Sequence, residues 1–236
     1  MAGEADRLFA HAEHARGLPT GSLHVVCPPV LGSLVIEWLA AKFASSVPGV
    51  RLRLEEATGI LDPRSIQADL LIYATSDPLP DSTLVAKRLF SAPTLLICRP
   101  DMLEGREPIV NPDQLRSIRC LGLGPRGSDW SWTFDRGSDV ATVRFEPWFT
   151  TNLPSALLKA VQQGLGAAVL STAICAEGLT DGRLIALLDG WTPRPMDVYA
   201  IYPSSRTLPV AARRFLDLLI RDIPSMARGI AVSEGK

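Results

Sequence analysis

The stretch TTNLPSALLKAVQQGLGAAVLS, residues 150–171, predicts a polar turn, a helix and an apolar strand in succession. Leu157 and Val161 lie one helical turn apart on one face. Pro154 stands where the first helical turn tolerates proline, and Gly164 follows where glycine ends helices. The helix start leaves free backbone N–H groups beside the polar TTN, so this tip is a candidate site for an anion or polar ligand.

The same alternation of apolar runs and breaker residues extends along the chain. We expect helices over 33–46, 62–67 and 208–220, besides the helix that begins at residue 154. Strands are predicted over 22–27, 50–55, 69–73, 84–89, 93–98, 118–123, 142–145, 167–170 and 197–202. Because strands alternate with helices, the pattern predicts parallel pairing with right-handed crossovers.

The order of these elements predicts two lobes joined by two crossing strands. Residues 21–97 and 197–226 are expected to form the first lobe, and residues 98–196 the second. Residues 1–20 look like the end of a connecting helix, and residues 227–236 like a flexible tail.

Composition excludes several classes of function. The charges of the 25 acidic and 24 basic residues nearly cancel, and the basic residues form no stripe. This chain alone is therefore a poor candidate for binding nucleic acid. No apolar run is long enough to cross a membrane, and no secretory signal is visible. We therefore expect a cytoplasmic protein without a membrane partner.

No pattern of catalytic or metal-binding residues stands out. The four cysteines form no CxxC pair, which argues against zinc and a thioredoxin-type motif. His11 and His14 lack further ligands, and no histidine follows His24, so a metal site and a Ser–His–Asp site are not expected. Gly122-Leu123-Gly124 lacks the third glycine of a dinucleotide motif. We predict no cofactor, no metal and no enzymatic activity.

The remaining candidates lie at turns that follow strands, because open α/β sheets bind ligands beyond the carboxyl ends of their strands. Serine, threonine and asparagine also cap helices for local reasons, so capping and ligand binding both stay open for each tip. Arg126 is the candidate partner for a carboxylate. The predicted ligand-binding residues are Pro29, Val30, Ser33, Thr58, Thr75, Gly124, Arg126, Thr151 and Asn152.

Several segments, in order and spacing, resemble the effector-binding domain of LysR-type transcriptional regulators. The resemblance covers residues 18–222. It is carried by GSLHVVCPPVLGS, KFASSVPGVRLRLEE, ADLLIYAT, LICRPDML, DGRLIALLDGW and VYAIYPSSRTLPVAARRFLDLL, together with the segment 150–171. Tyr73 departs from the family, whose strand often ends in arginine there.

The resemblance implies a two-lobed, α/β, periplasmic-binding-protein-like fold of type 2 with a small-molecule effector between the lobes. It also implies homodimers, and tetramers in intact regulators, in which the helix 33–46 meets the partner's second lobe. Promoter DNA would be contacted only through an N-terminal winged helix-turn-helix, for which we see no room before Gly21. The leading residues resemble the end of the family's linker helix.

Three functions stay open at this point. The leading hypothesis is an effector-sensing regulatory domain without catalysis, whose ligand is a small organic or aromatic acid. A solute-binding protein of a transporter shares the fold, and so do some enzymes, although an enzyme would need titratable groups in the cleft. A redox role for Cys27, which ends a predicted strand, is a further alternative.

Overall fold

The computed structural model describes residues 19–28, 31, 36–57, 67–76, 78–79, 81–124, 130–203 and 208–232. Its helices are α1 (Glu37–Ser46), α2 (Pro154–Gln162), α3 (Thr172–Thr180) and α4 (Val210–Val232). Its strands are β1 (Gly21–Cys27), β2 (Val50–Glu56), β3 (Leu70–Thr75), β4 (Val85–Ala92), β5 (Thr94–Cys98), β6 (Leu121–Leu123), β7 (Ser131–Arg136), β8 (Asp139–Arg144), β9 (Phe149–Thr151), β10 (Ala168–Ser171), β11 (Ile185–Ala186), β12 (Thr192–Pro193) and β13 (Met196–Tyr202).

The first lobe is built on a five-stranded sheet in the order β2-β1-β3-β13-β4. Strand β1 pairs in parallel with β2 and β3, whereas β13 runs antiparallel to both β3 and β4. The parallel pairing predicted for the early strands is confirmed. Buried parallel strands are apolar on both faces, which explains the runs in β1 and β3.

Helices α1 and α4 pack together over this sheet. Phe43 of α1 and Phe215 of α4 meet edge to face, with ring centroids 5.1 Å apart, and both rings are buried. They lie in one core cluster with Leu23 of β1 and Ile72 of β3. The last helix of the chain is thereby fixed on the first lobe.

The second lobe contains smaller sheets. Strand β5 lies between β10 and β11, β6 pairs with β9, and β7 lies between β12 and β8. Leu157 and Val161 of α2 are fully buried against Ile97 and Leu170, so the helical face predicted for this segment is confirmed.

Strand β5 belongs to the second sheet system, and its predicted place in the first lobe is wrong. It pairs antiparallel with β10 through Thr94 to Ile97. Pro93, which has no backbone N–H to donate, separates β5 from β4 of the first sheet. The chain returns to the first lobe between β12 and β13, through Arg194 and Pro195. The other predicted domain limits stay a prediction.

Several further elements differ from the prediction, among them the short strands β9, β11 and β12. Residues 131–144 form a hairpin with Gly137 at a φ of 59° in its turn, and α3 follows β10 directly. Helix α4 continues to Val232, so residues 227–232, predicted as part of a flexible tail, belong to this helix. Trp132 packs against Phe145 with ring centroids 4.2 Å apart, inside the second lobe. Predicted structure over 1–16, 33–35 and 62–66 lies outside the described residues.

Candidate ligand-binding site

A cavity of about 190 Å³ lies between the two lobes. Residues of the first lobe, of the second lobe and of both crossover connections line it. The lining residues are Pro28, Leu31, Ala74, Ser76, Phe90, Ala92, Thr94, Leu123, Pro154, Val169, Leu170, Ser171, Ala173, Ile174, Arg194, Met196, Val198 and Ile223.

The carboxyl ends of several strands reach this cavity, where open α/β sheets bind ligands. Pro28 follows β1, Ala74 and Ser76 mark the end of β3, and Leu123 ends β6. Pro154 is the first residue of α2, so this helix begins at the cavity wall.

Helix α3 also begins at the cavity. Ser171 is its N-terminal flanking residue, and the Ser171 hydroxyl makes no capping hydrogen bond. Ser171, Ala173 and Ile174 all belong to the lining. The free N–H groups of a first turn, together with the helix dipole, favour a negative charge nearby.

The two crossover connections are held together by Thr94, which is buried. The Thr94 hydroxyl lies 3.0 Å from the carbonyl oxygen of Arg194 and 3.3 Å from that of Pro193, so it can donate to either. The neighbouring Pro93 carbonyl accepts a hydrogen bond from the Thr172 backbone N–H at 3.0 Å. One short segment therefore positions both Arg194 and the start of α3.

Most of the cavity wall is apolar. Among the described residues of the lining, Arg194 is the one charged side chain, and Ser76, Thr94 and Ser171 carry hydroxyls. The Arg194 Nε lies 4.0 Å from Oδ2 of Asp135, and both side chains are about half exposed. Such a long, solvated ion pair is weak, so Arg194 is only loosely held by its protein partner.

The four predicted site residues that the structure describes lie next to lining residues along the chain, and none of the four belongs to the lining. Thr75 is half-buried in β3, where strand alternation places its side chain opposite those of Ala74 and Ser76. Gly124 follows Leu123, and Asn152 is exposed two positions before Pro154. Pro29, Val30, Ser33, Thr58 and Arg126 lie outside the described residues.

Thr151 has a local role in the described structure. Its hydroxyl oxygen accepts a hydrogen bond from the Leu153 N–H at 3.1 Å, just before α2. The Thr151 carbonyl accepts a hydrogen bond from the Gly124 N–H at 2.9 Å, which joins the end of β9 to the residue after β6. A local turn before α2 thus accounts for the hydroxyl contact of Thr151, which does not cap the helix, and its ligand-binding role stays a prediction.

The sequence reasoning missed the hinge side of the cavity. Thr94 and Arg194 lie at the two crossing connections, and Phe90 and Met196 lie in the adjoining strands β4 and β13. The sequence predicted these connections as a hinge but not as a ligand wall. Their position depends on the pairing of β5 with β10 and β11, for which the local sequence carries no signal.

The cysteines are buried thiols. Burial, assisted by the nearby Glu56 and Glu37 carboxylates, raises the pKa of Cys27 to about 11. Burial raises the pKa values of Cys98, Cys120 and Cys175 to about 12, with Asp101 adding to the effect at Cys98. Thiols with such pKa values are almost wholly protonated at neutral pH and react slowly, which argues against a redox role for Cys27.

The described titratable groups form no catalytic arrangement at the cavity. His24 bridges the Gln67 carbonyl and the Glu55 carboxylate, each at 3.0 Å, and does not line the cavity. The hydrogen bond between His24 and Glu55, together with the positive charge of Arg53, lowers the pKa of Glu55. Within the described ranges, no group of three or more His, Cys, Asp or Glu residues is placed to hold a metal ion.

Comparison with known proteins agrees with this architecture. The profile of the LysR substrate binding domain family matches residues 16–223. Among curated proteins, the HTH-type transcriptional regulator PtxR of Pseudomonas aeruginosa is 29% identical over 219 residues, which cover 93% of this chain and 70% of PtxR. The HTH-type transcriptional regulator CrgA of Neisseria meningitidis is 28% identical over 225 residues, covering 94% of this chain and 72% of CrgA. These relatives are regulators, so the comparison does not favour a transport protein or an enzyme.

Solved structures show the same fold. The CrgA regulatory domain from Neisseria meningitidis matches with a TM-score of 0.64 at 26% identity, covering 86% of this chain and 99% of that domain. Full-length AphB of Vibrio cholerae matches with a TM-score of 0.69 at 20% identity, covering 93% of this chain and 75% of AphB. In the part of the chain that is described, no helix is long and apolar enough to cross a membrane. The two lobes, the cavity between them and the family match over residues 16–223 together establish that this chain belongs to the LysR substrate-binding domain family.

Proposed function

We propose that this chain is an effector-sensing domain that binds a small organic or aromatic acid between its two lobes. The observation that carries this proposal is the cavity of about 190 Å³, which takes residues from both lobes and from both crossover connections. A ligand that touches all of these parts senses their relative arrangement. It therefore shifts the population of lobe arrangements to the extent that it binds one of them better.

The size and lining of the cavity support a small ligand with an apolar body. An apolar cavity of about 150 Å³ accommodates one benzene ring, so a cavity of about 190 Å³ has room for a ring and a short polar group. Phe90, Ile174 and Met196 provide the apolar wall. The starts of α2 and α3 add N–H groups that favour an acid over a base.

We also propose that the domain pairs with a second copy of itself through α1. Trp38 on this helix is 53% exposed, and the Lys42 ammonium lies 4.9 Å from its ring centroid. In the second lobe, Trp148, Leu153 and Leu165 are exposed as well. Exposed aromatic side chains are typical anchors of protein interfaces, so these two surfaces are the candidate halves of the contact. In an intact regulator this contact would transmit the effector signal to promoter DNA through a DNA-binding domain.

Thermal unfolding against a library of carboxylic acids, amino acids and neutral amides tests the sensing proposal. A ligand at a hundred times its dissociation constant stabilises the folded chain by about 2.7 kcal/mol. For a domain of this size, that corresponds to a rise in the unfolding midpoint of about 5–10 °C. We expect such rises for some small acids and not for the amino acids, whose ammonium group suits neither Arg194 nor the helix starts. If no small acid raised the midpoint, the proposed ligand class would be wrong.

A further inference from the structure

We propose that Arg194 binds the carboxylate of the effector at the hinge end of the cavity, while the effector's apolar body extends between the lobes. This inference rests on the proposed function and deepens it. Arg194 would select the ligand and fix the direction in which the ligand lies.

The distribution of charge in the cavity carries the proposal. Arg194 is the one charged residue among the described lining, and it lies on the return connection between β12 and β13. The rest of the wall is hydrocarbon apart from three hydroxyls. A molecule that matches this wall has one anionic end and an apolar remainder, as a monocarboxylic acid does. A second carboxylate would lie against apolar side chains without a partner, at a large desolvation cost.

The start of α3 reinforces the charge of Arg194 at the same end. Thr94 contacts the Arg194 carbonyl, and its neighbour Pro93 accepts the Thr172 N–H, so the arginine and the helix start share one attachment. The Ser171 hydroxyl at this start is not used as a cap. A carboxylate here could accept hydrogen bonds from the guanidinium and from Ser171, and charge-assisted bonds of this kind are the strong ones.

A ligand carboxylate can replace Asp135 as the ion-pair partner of Arg194 at little cost in free energy. The Arg194 Nε and Asp135 Oδ2 are 4.0 Å apart, and the side chains are 48% and 46% exposed. A ligand carboxylate would replace this long contact by a short, partly desolvated one. Because Asp135 belongs to β7 of the second lobe and Arg194 to the crossover, the exchange would also loosen one contact between the hinge and that lobe.

Matched acid and amide pairs test this assignment. Calorimetric titration with benzoate, benzamide, hexanoate and hexanamide would measure the preference for a negative charge on the same body. We expect the acids to bind at least about tenfold tighter than the amides, the range of one charge-assisted hydrogen bond. Arg194→Gln should remove most of this preference, leaving the smaller share of the α3 start, and should change amide binding less than about twofold. Ser171→Ala should reduce it partly.

A control and a gain-of-affinity variant complete the test. Arg116 forms a similar loose pair, 3.9 Å from Asp113, but does not line the cavity, so Arg116→Gln should keep the acid preference. Asp135→Asn removes the competing carboxylate and should raise acid affinity about two- to fivefold; an acid affinity that does not rise would contradict the exchange. Unfolding midpoints without ligand would show that each variant is folded.

The outcomes separate the two proposals. If acids and amides bind equally and Arg194→Gln changes neither, the Arg194 assignment is wrong and the cavity proposal stands. If none of the four probes binds the wild-type chain, the proposed ligand class fails, and the Arg194 assignment fails with it.

Discussion

At the residue scale, burial decides which side chains can take part in chemistry. Cys27 ends β1 next to Pro28 of the cavity lining, but its side chain is fully buried in the core. Arg194, by contrast, is half exposed, and its ion pair with Asp135 is long. Nothing in its local sequence marks it as a ligand-binding residue. Whether a side chain can react or bind a ligand depends on its burial and its partners, and these come from residues far away along the chain.

We predict that the four cysteines are unreactive in the folded chain. With a pKa of about 11, about one per cent of the Cys27 thiol is ionised at pH 9, and far less at pH 7. Titration with a chromogenic disulfide should therefore detect almost no thiol at neutral pH within minutes, and four after denaturation. At pH 9 the folded chain should still show almost no reacted thiol within minutes, because the thiols stay mostly protonated and burial blocks access.

A surface cysteine provides the control for this measurement. Ser138 is exposed in the β7–β8 turn, so Ser138→Cys should add one rapidly reacting thiol to the folded chain. Rapid reaction of a native cysteine in the folded wild-type chain would contradict the assignment of all four as structural, and would restore a redox role as a hypothesis.

At the element scale, the sequence predicted most helices and strands because their local signals agree with one another. Helix α2 is an example: its apolar face is buried, and Gly164, with a φ of 74°, ends it. The Gly164 N–H donates to the Val161 carbonyl at 2.8 Å and the Leu165 N–H to the Ala160 carbonyl at 3.1 Å, which is a Schellman motif. Glycine adopts this conformation without strain.

The elements that the sequence did not predict depend on tertiary contacts. The β7–β8 hairpin carries Trp132 and Phe134, whose period-two spacing is a strand signal, yet no strand is predicted over residues 131–136. Strand β5 follows β4 with only Pro93 between them, and only its pairing with β10 and β11 places it in the second lobe. The hinge wall of the cavity follows from this pairing, so it could not be read from local patterns.

Helix α1 gives the prediction that tests pairing. Trp38→Glu places a charge on the proposed contact surface and should raise the dimer dissociation constant about 30-fold or more, because removal of a central interface tryptophan costs about 2 kcal/mol or more. Sedimentation velocity over a concentration series would measure the change. Val140, an exposed residue of the hairpin, offers the control Val140→Glu, which should leave association unchanged. Equal effects of both variants, or none from Trp38→Glu, would exclude α1 as the contact.

At the scale of the whole molecule, the chain crosses twice between two lobes, and the cavity lies where it crosses. Every ligand contact with Thr94, Arg194 or Met196 is therefore also a contact with a connection between lobes. To act as a switch, an effector must bind one arrangement more tightly than the other by a few kcal/mol. An apolar ligand body buried between the lobes and a carboxylate held at the hinge could together provide such a difference.

The most direct test fills the cavity and asks whether the effector still binds. Ala173 lines the cavity in the first turn of α3, so Ala173→Trp should occupy the space between the lobes. Ala186 is exposed in β11, and Ala186→Trp makes the same substitution outside the lining. Where the larger ring prevents folding, Ala173→Leu serves as a milder variant.

The measurement is the rise in unfolding midpoint caused by an acid that stabilises the wild-type chain. We predict the same rise of several degrees in Ala186→Trp and a rise below about 1 °C in folded Ala173→Trp. An equal rise in Ala173→Trp and in the wild-type chain would show that the acid binds elsewhere, and would contradict the assignment of the cavity between the lobes as the effector site.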